Sequence, residues 1–166
     1  MVLTKEELIA SLQNEVRILV HLAGKVDKSK VDYRPAPKQR SILELLQYMT
    51  IMGPNLVTFI KNGTFDGAVW SSAAAAAKAM NFDQAVAAIE KQSDQYARLL
   101  SGWTDADFRG EVDFFGAKSS RGSHIVYLVV SGHAAYRTQL FLYLKACGRA
   151  ELTTMNLWGG ADAPAS

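Results

Sequence analysis

Apolar residues recur at three- and four-residue steps along four stretches of the chain, and each reads as an amphipathic helix. The first opens at Thr4, with Glu7 three residues on as the reciprocal half of a capping box. Leu8, Leu12, Val16, Leu19 and Ala23 form its stripe, and Gly24 stops it. The second opens at Ser41 with Glu44 in the same relation. It carries Leu45, Met49, Met52, Leu56, Phe59 and Ile60, and ends at Asn62-Gly63. Gly53-Pro54 lies inside it. Proline removes a backbone donor and crowds the preceding turn, so the pattern predicts a kink there, and a kinked helix can open a pocket. The third opens at Asn81 with Gln84, runs through Phe82, Val86, Ile89, Tyr96, Leu99 and Leu100, and closes at Ser101-Gly102. The fourth runs from about Arg121 to Cys147 and stops at Gly148. It is apolar nearly all round, which predicts burial on more than one side.

The connections are uneven. Residues 25–40 are polar, hold Pro35 and Pro37, and read as extended. Residues 63–80 hold Trp70 and the run Ala73 to Ala77, which suits a short extra helix. Residues 102–120 carry Trp103, Phe108, Phe114 and Phe115, too many aromatics for an idle loop, and read as a packed lid. Met155, Leu157 and Trp158 predict a docked tail that frays at Pro164. With no repeat and no linker, residues 1–166 read as one domain. It is an all-α four-helix bundle with long crossover connections.

Composition narrows the function. Eighteen Lys and Arg against 16 Asp and Glu leave a formal charge of +2, with the cations scattered. That balance argues against nucleic acid or an anionic membrane as partner. Cys147 is the single cysteine, which rules out an internal disulfide and suits a reducing compartment. The acidic N-terminal stretch lacks the pattern of a signal peptide. Ile125 to Leu144 comes nearest to a membrane span, but His133, Arg137 and Gln139 interrupt it. A cytoplasmic protein is expected.

Two segments carry a family resemblance. Tyr33-Arg34-Pro35-Ala36-Pro37-Lys38-Gln39-Arg40-Ser41-Ile42-Leu43-Glu44-Leu45-Leu46 looks like the entry to the second helix of DinB-like (YfiT-like) four-helix-bundle proteins. Ser131-Gly132-His133-Ala134-Ala135-Tyr136-Arg137-Thr138-Gln139-Leu140-Phe141-Leu142-Tyr143-Leu144 resembles their last helix. The resemblance implies a homodimer and, in typical members, a divalent metal held by three histidines. One of these lies early in helix two and two lie four residues apart on helix four. Residues at i and i+4 share a helix face and can grip one ion together. Laid on this chain, the ligand positions fall at Tyr48, Gly132 and Tyr136, none of them histidine, so no cofactor is expected. The histidines present are His21, His124 and His133. A one-residue shift would place His133 at the site with Arg137 as its partner, and an arginine there repels a cation.

The candidate pocket is Tyr48, Gly132, His133, Tyr136, Arg137 and Gln139. Gly132 removes side-chain volume one turn before Tyr136, so Tyr48 and Tyr136 are expected to meet in that space, with Gln139 as a partner for their hydroxyls. Arg137, in an apolar helix, needs a carboxylate: Glu44, Asp107, Asp113 or a ligand acid. Lys118 to Ser123 reads as ordinary serine capping of a helix start, or as an anion seat. His21 suits a helix C-terminus and Cys147 suits packing. No nucleophile–base constellation, phosphate loop or zinc-finger spacing occurs. The expectation is a metal-free DinB-like protein that binds a small molecule in the inter-helix cavity. The alternatives are a thiol-dependent transferase or isomerase of the DinB-like type, which the resemblance implies, and a structural dimer without ligand.

Overall fold

The computed structural model describes residues 3–164. Helix α1 is Lys5–Ala23, α2 Ile42–Asn62, α3 Gly67–Lys78, α4 Phe82–Glu90, α5 Gln92–Leu100 and α6 Asp105–Arg109. The last long helix comprises α7 Arg121–His124, a π-helical turn at Ile125–Val130, and α8 Ser131–Ala146. All three predicted capping boxes are present: Thr4 with Glu7, Ser41 with Glu44, and Asn81 with Gln84. These signals are local, and each satisfies two backbone donors that the helix itself leaves free. Gly63 (φ +73°) closes α2, and Gly148 (φ +98°) turns the chain after α8.

Three predicted elements differ in detail. The third helix is two, α4 and α5, with the break at Lys91. There Gln92 turns its buried side chain under α2 and donates to the carbonyls of Met49 (2.7 Å) and Thr50 (3.0 Å). Thr50 is the carbonyl that Pro54 leaves without its helical donor, so α2 runs through Pro54 as a single helix. Residues 25–40 are not simply extended. They hold a short 3₁₀ turn at Lys28–Lys30 and are tied to the start of α2 by Ile42 N–H to Tyr33 O. The lid over 102–120 contains α6 and an antiparallel hairpin, β1 Glu111–Phe114 and β2 Ala117–Ser120. The hairpin turns at Phe115 and Gly116, both with positive φ, as a two-residue hairpin loop favours. Within the lid, Trp103, Phe108 and Phe114 are buried and Phe115 is exposed.

α1, α2, α4–α5 and α7–α8 make the bundle, with α3 laid against α2. One core cluster gathers Leu12, Leu19, Leu45, Met49, Ile60, Ile89, Leu100, Ile125 and Leu140, among others. The last helix is not buried all round: Tyr127 and Leu142 are exposed on its outer side. The tail docks through Leu152, which joins the core, through Asn156 and through its backbone, rather than through Met155 and Trp158. Arg17 donates to the carbonyls of Gly159 and Gly160, and Asn156 is buried while Met155 and Trp158 are exposed. Asn156 and Asp162 also meet His21 at the end of α1. Pro164 is exposed, and the chain beyond it lies outside the described residues. Among the described residues no helix is long and apolar enough to cross a membrane.

Candidate functional site

Successive residues of α8 point about 100° apart, so Gly132 and Tyr136 share one face while His133 and Arg137 share another. The first face meets α2. The rings of Tyr48 and Tyr136 pack edge to face with centroids 5.1 Å apart, and the Trp70 ring of α3 lies 6.1 Å from that of Tyr48. The Arg40 guanidinium sits over the Tyr48 ring, 4.0 Å from its centroid. Burial, with Tyr136 alongside, pushes the Tyr48 phenol up to about 12. The expected meeting of the two tyrosines occurs, but not in space vacated at Gly132. A Cβ there would lie 3.1 Å from Met52 Cε and 3.3 Å from its Sδ, so Met52 fills that room. Gln139 does not serve the tyrosine pair either. It donates to the Tyr143 hydroxyl, which in turn donates to the Arg40 carbonyl (3.1 Å).

The second face points into the bundle between α1 and α5. His133 is wholly buried, and its Nε2 is hydrogen-bonded to the Tyr96 hydroxyl at 2.7 Å. Its Nδ1 is buried without a partner among the described residues. Burial, and then the charge of Arg137, lower its pKa to about 4. Burial likewise raises the Tyr96 phenol, so both partners are neutral near pH 7. Gly53 makes this pair possible: a Cβ there would lie 1.7 Å from the Tyr96 hydroxyl oxygen and 2.9 Å from His133 Nε2. Tyr96 was legible only as a member of an apolar stripe, and Gly53 only as a neighbour of proline.

Arg137 has a carboxylate partner, but it is Glu15 of α1, at 2.6 Å from Nε and 3.3 Å from Nη2. The three carboxylates expected from the sequence are engaged or placed elsewhere. Glu44 bonds Arg34 (3.1 Å) and the Ser41 amide, Asp107 caps α6 at Thr104, and Asp113 is exposed on β1. Arg137 also donates to the Leu157 carbonyl and lies 4.9 Å from the Trp158 ring centroid. The six candidate residues therefore divide: Tyr48, Gly132 and Tyr136 at the α2 contact, His133 and Arg137 in the core, and Gln139 beside Tyr143. At the start of the last helix, Ser120 caps α7 by accepting from the Ser123 amide. Burial raises the Cys147 thiol, which does not suit a nucleophile.

The hollow nearest the tyrosines opens on Tyr48. It has a volume of about 400 Å³ between the 34–40 loop, α2 and α3, with Arg34, Lys38, Arg40, Glu44, Tyr48 and Lys78 in its wall. A second hollow of about 530 Å³ shares Lys38, Gln39 and Arg40 and reaches Gln139. A third, of about 750 Å³, lies where α2 passes Pro54, against the alanines of α3 and α4. The basic residues look scattered along the sequence, yet the fold gathers four of them around Tyr48. Three of the four fall within seven positions, 34 to 40, and that spacing was the available signal.

No family model matches the sequence, and no curated protein matches it. Solved structures do. A DinB-like protein of Bacillus subtilis (YjoA) superposes with a TM-score of 0.66 at 18% identity, covering 88% of this chain and 95% of its own. A DinB-like protein of Bacillus cereus superposes with a TM-score of 0.70 at 16% identity, covering 89% and 95%.

The fold is DinB-like. The helical bundle and the order of its elements are those the sequence predicts. The resemblance puts the metal ligands of typical members at Tyr48, Gly132 and Tyr136, and residues of these types are poor partners for a divalent ion. Tyr48 and Tyr136 offer phenols in place of imidazoles, and a phenol with its pKa near 12 stays protonated at neutral pH. Met52 closes the third position against Gly132. Among the described residues no three His, Cys, Asp or Glu side chains converge as an ion would need. His133 and Arg137 stand one residue along α8 from those positions and face Tyr96 and Glu15 instead.

Proposed function

We propose that the protein is a metal-free member of the DinB-like fold that binds a small molecule in the hollow beside Tyr48. The observation that carries this reading is the Tyr48–Tyr136 ring contact, at two of the positions where the resemblance implies ligands, with a hollow open on the Tyr48 side. A concave site with an aromatic wall and a few polar groups is the usual form of a small-molecule pocket. Neutral phenols and a methionine are poor ligands for zinc or nickel, so the reading needs no metal. Elemental analysis of purified, untagged protein tests it. Zinc, nickel, iron and manganese are all expected well below one per chain after incubation with excess ion and desalting. Stoichiometric metal would overturn the reading and return thiol-dependent chemistry to the front.

A second copy of the chain is the proposed protein partner. From Ile125 to Leu144 the only Asp, Glu, Lys or Arg is Arg137, which is buried. The outer side of that helix therefore presents Tyr127, Ala135 and Leu142 to solvent with no charge among them.

A further inference from the structure

The hollow beside Tyr48 carries more charge than the rest of the molecule accounts for. Its wall holds Arg34, Lys38, Arg40 and Lys78 against the single carboxylate of Glu44. The whole chain holds 18 basic and 16 acidic residues, so the surface outside the hollow is slightly acidic. The clustering is a product of the fold. Lys78 comes from the end of α3, and the other three come from the loop that leads into α2.

Most of that charge is free. Glu44 is taken up by Arg34 at 3.1 Å and by the Ser41 amide at 2.8 Å. Among the described residues, Lys38, Arg40 and Lys78 form no ion pair. Arg40 is also held in place. Its guanidinium stacks on Tyr48, and its carbonyl accepts from the Tyr143 hydroxyl. Stacking on a ring face orients a guanidinium without discharging it. Three unpaired cations around one concavity repel one another and raise the local concentration of anions. Ile51, Ala74 and Ala77 add an apolar strip to the same wall. Exposed cations and a short apolar strip in one wall match an organic anion rather than a bare inorganic ion.

We propose that the ligand of this hollow is a small organic anion of two or more negative charges, held by Lys38, Arg40 and Lys78 with its carbon body against Tyr48 and the alanines of α3. The inference rests on the small-molecule reading above and deepens it. Carboxylates and phosphate monoesters share this chemistry, and both are accommodated by a guanidinium and two ammonium groups.

The test is an amide-resolved NMR titration of the full chain at low ionic strength with three probes: citrate, phenyl phosphate and uncharged benzyl alcohol. The expected result is that at least one anion shifts amides around Arg34–Ile51 and Ala74–Lys78. Citrate alone would identify carboxylates as the class, and phenyl phosphate alone would identify phosphate esters. Added salt should weaken that binding, because the cations are solvent-exposed. The Lys38→Gln/Lys78→Gln double variant should weaken it by about tenfold or more. Both lysines lie outside the core, so a far-ultraviolet spectrum unchanged from the parent is expected to confirm the variant's fold. The proposal is overturned if neither anion shifts these amides, or if the double variant binds as the parent does. If benzyl alcohol shifts them while the anions do not, the hollow remains a small-molecule site and the anion inference alone fails. If none of the three binds there, both fail.

Discussion

Gly53 and His133 show how much can hang on one missing methyl group and one buried ring. With a Cβ at position 53 only 1.7 Å from the Tyr96 hydroxyl oxygen, alanine there must displace the pair. Gly53→Ala is expected to destabilise the protein by about 3 kcal/mol, despite alanine's better helix propensity. In a Tyr96→Phe background the nearest clashing atom is gone, so the same change should cost less. Urea denaturation of the four combinations checks both statements, and equal costs in the two backgrounds would rule the clash out. His133 gives the pH dependence. Its folded pKa of about 4 lies below the ordinary value of 6.5. As pH falls, the unfolded chain takes the proton first, so stability is full above pH 6.5 and is lost progressively down to about pH 4. The loss should approach 3 kcal/mol. His133→Gln should flatten the unfolding free energy across that window, and an unchanged slope would assign the loss to other groups.

At the scale of elements, the Arg137–Glu15 pair binds α8 to α1, and Arg137's further bond to Leu157 O brings in the tail. Both side chains are nearly sequestered, at 3% and 11% exposure, so removing one strands a charge in the core. Glu15→Ala is expected to cost about 3–5 kcal/mol, and Glu15→Leu with Arg137→Met distinctly less. Denaturation midpoints test the difference, and a double variant no better than the single would show that the charge is not stranded. The need for such a partner was legible, because an arginine in an apolar helix must be answered. Which acid answers it was not. Glu15 lies 122 positions away, on the flank of a stripe whose spacing marks it only as polar. The helix starts were legible because capping is settled within four residues. The break at Lys91 was not, because nothing in the local pattern marks it; the residue after it, Gln92, bonds the carbonyl that Pro54 frees on another helix.

The whole molecule repeats that division. The bundle and its order of elements follow from periodicity, and the DinB-like likeness of the solved structures bears them out. The candidate site was legible in part. Tyr48 and Tyr136 do meet, whereas His133, Arg137 and Gln139 each serve a different neighbour. The basic hollow escaped the sequence because its fourth cation arrives only when α3 packs on α2. Association is the remaining property at this scale. If the uncharged outer side of α8 meets a second copy, sedimentation should report a dimer, and Leu142→Glu should shift it to monomer with little change in stability. A monomer at every concentration would leave that side without a partner copy.

The π-helical turn at Ile125–Val130 acts as a phase shifter for everything after it. An α-helix advances about 100° per residue, and a π turn slips one residue into that count. The orientation of α8 is thus set by a slack residue upstream, not by the spacing of its own side chains. Were the slack taken out, Gly132 and Tyr136 would rotate away from α2 as a unit, and the neighbouring pair His133 and Arg137 would rotate with them. A shift of one residue along α8 therefore has a physical counterpart in this turn, which decides that Tyr136 rather than a neighbour packs on Tyr48 and that Gly132 meets Met52.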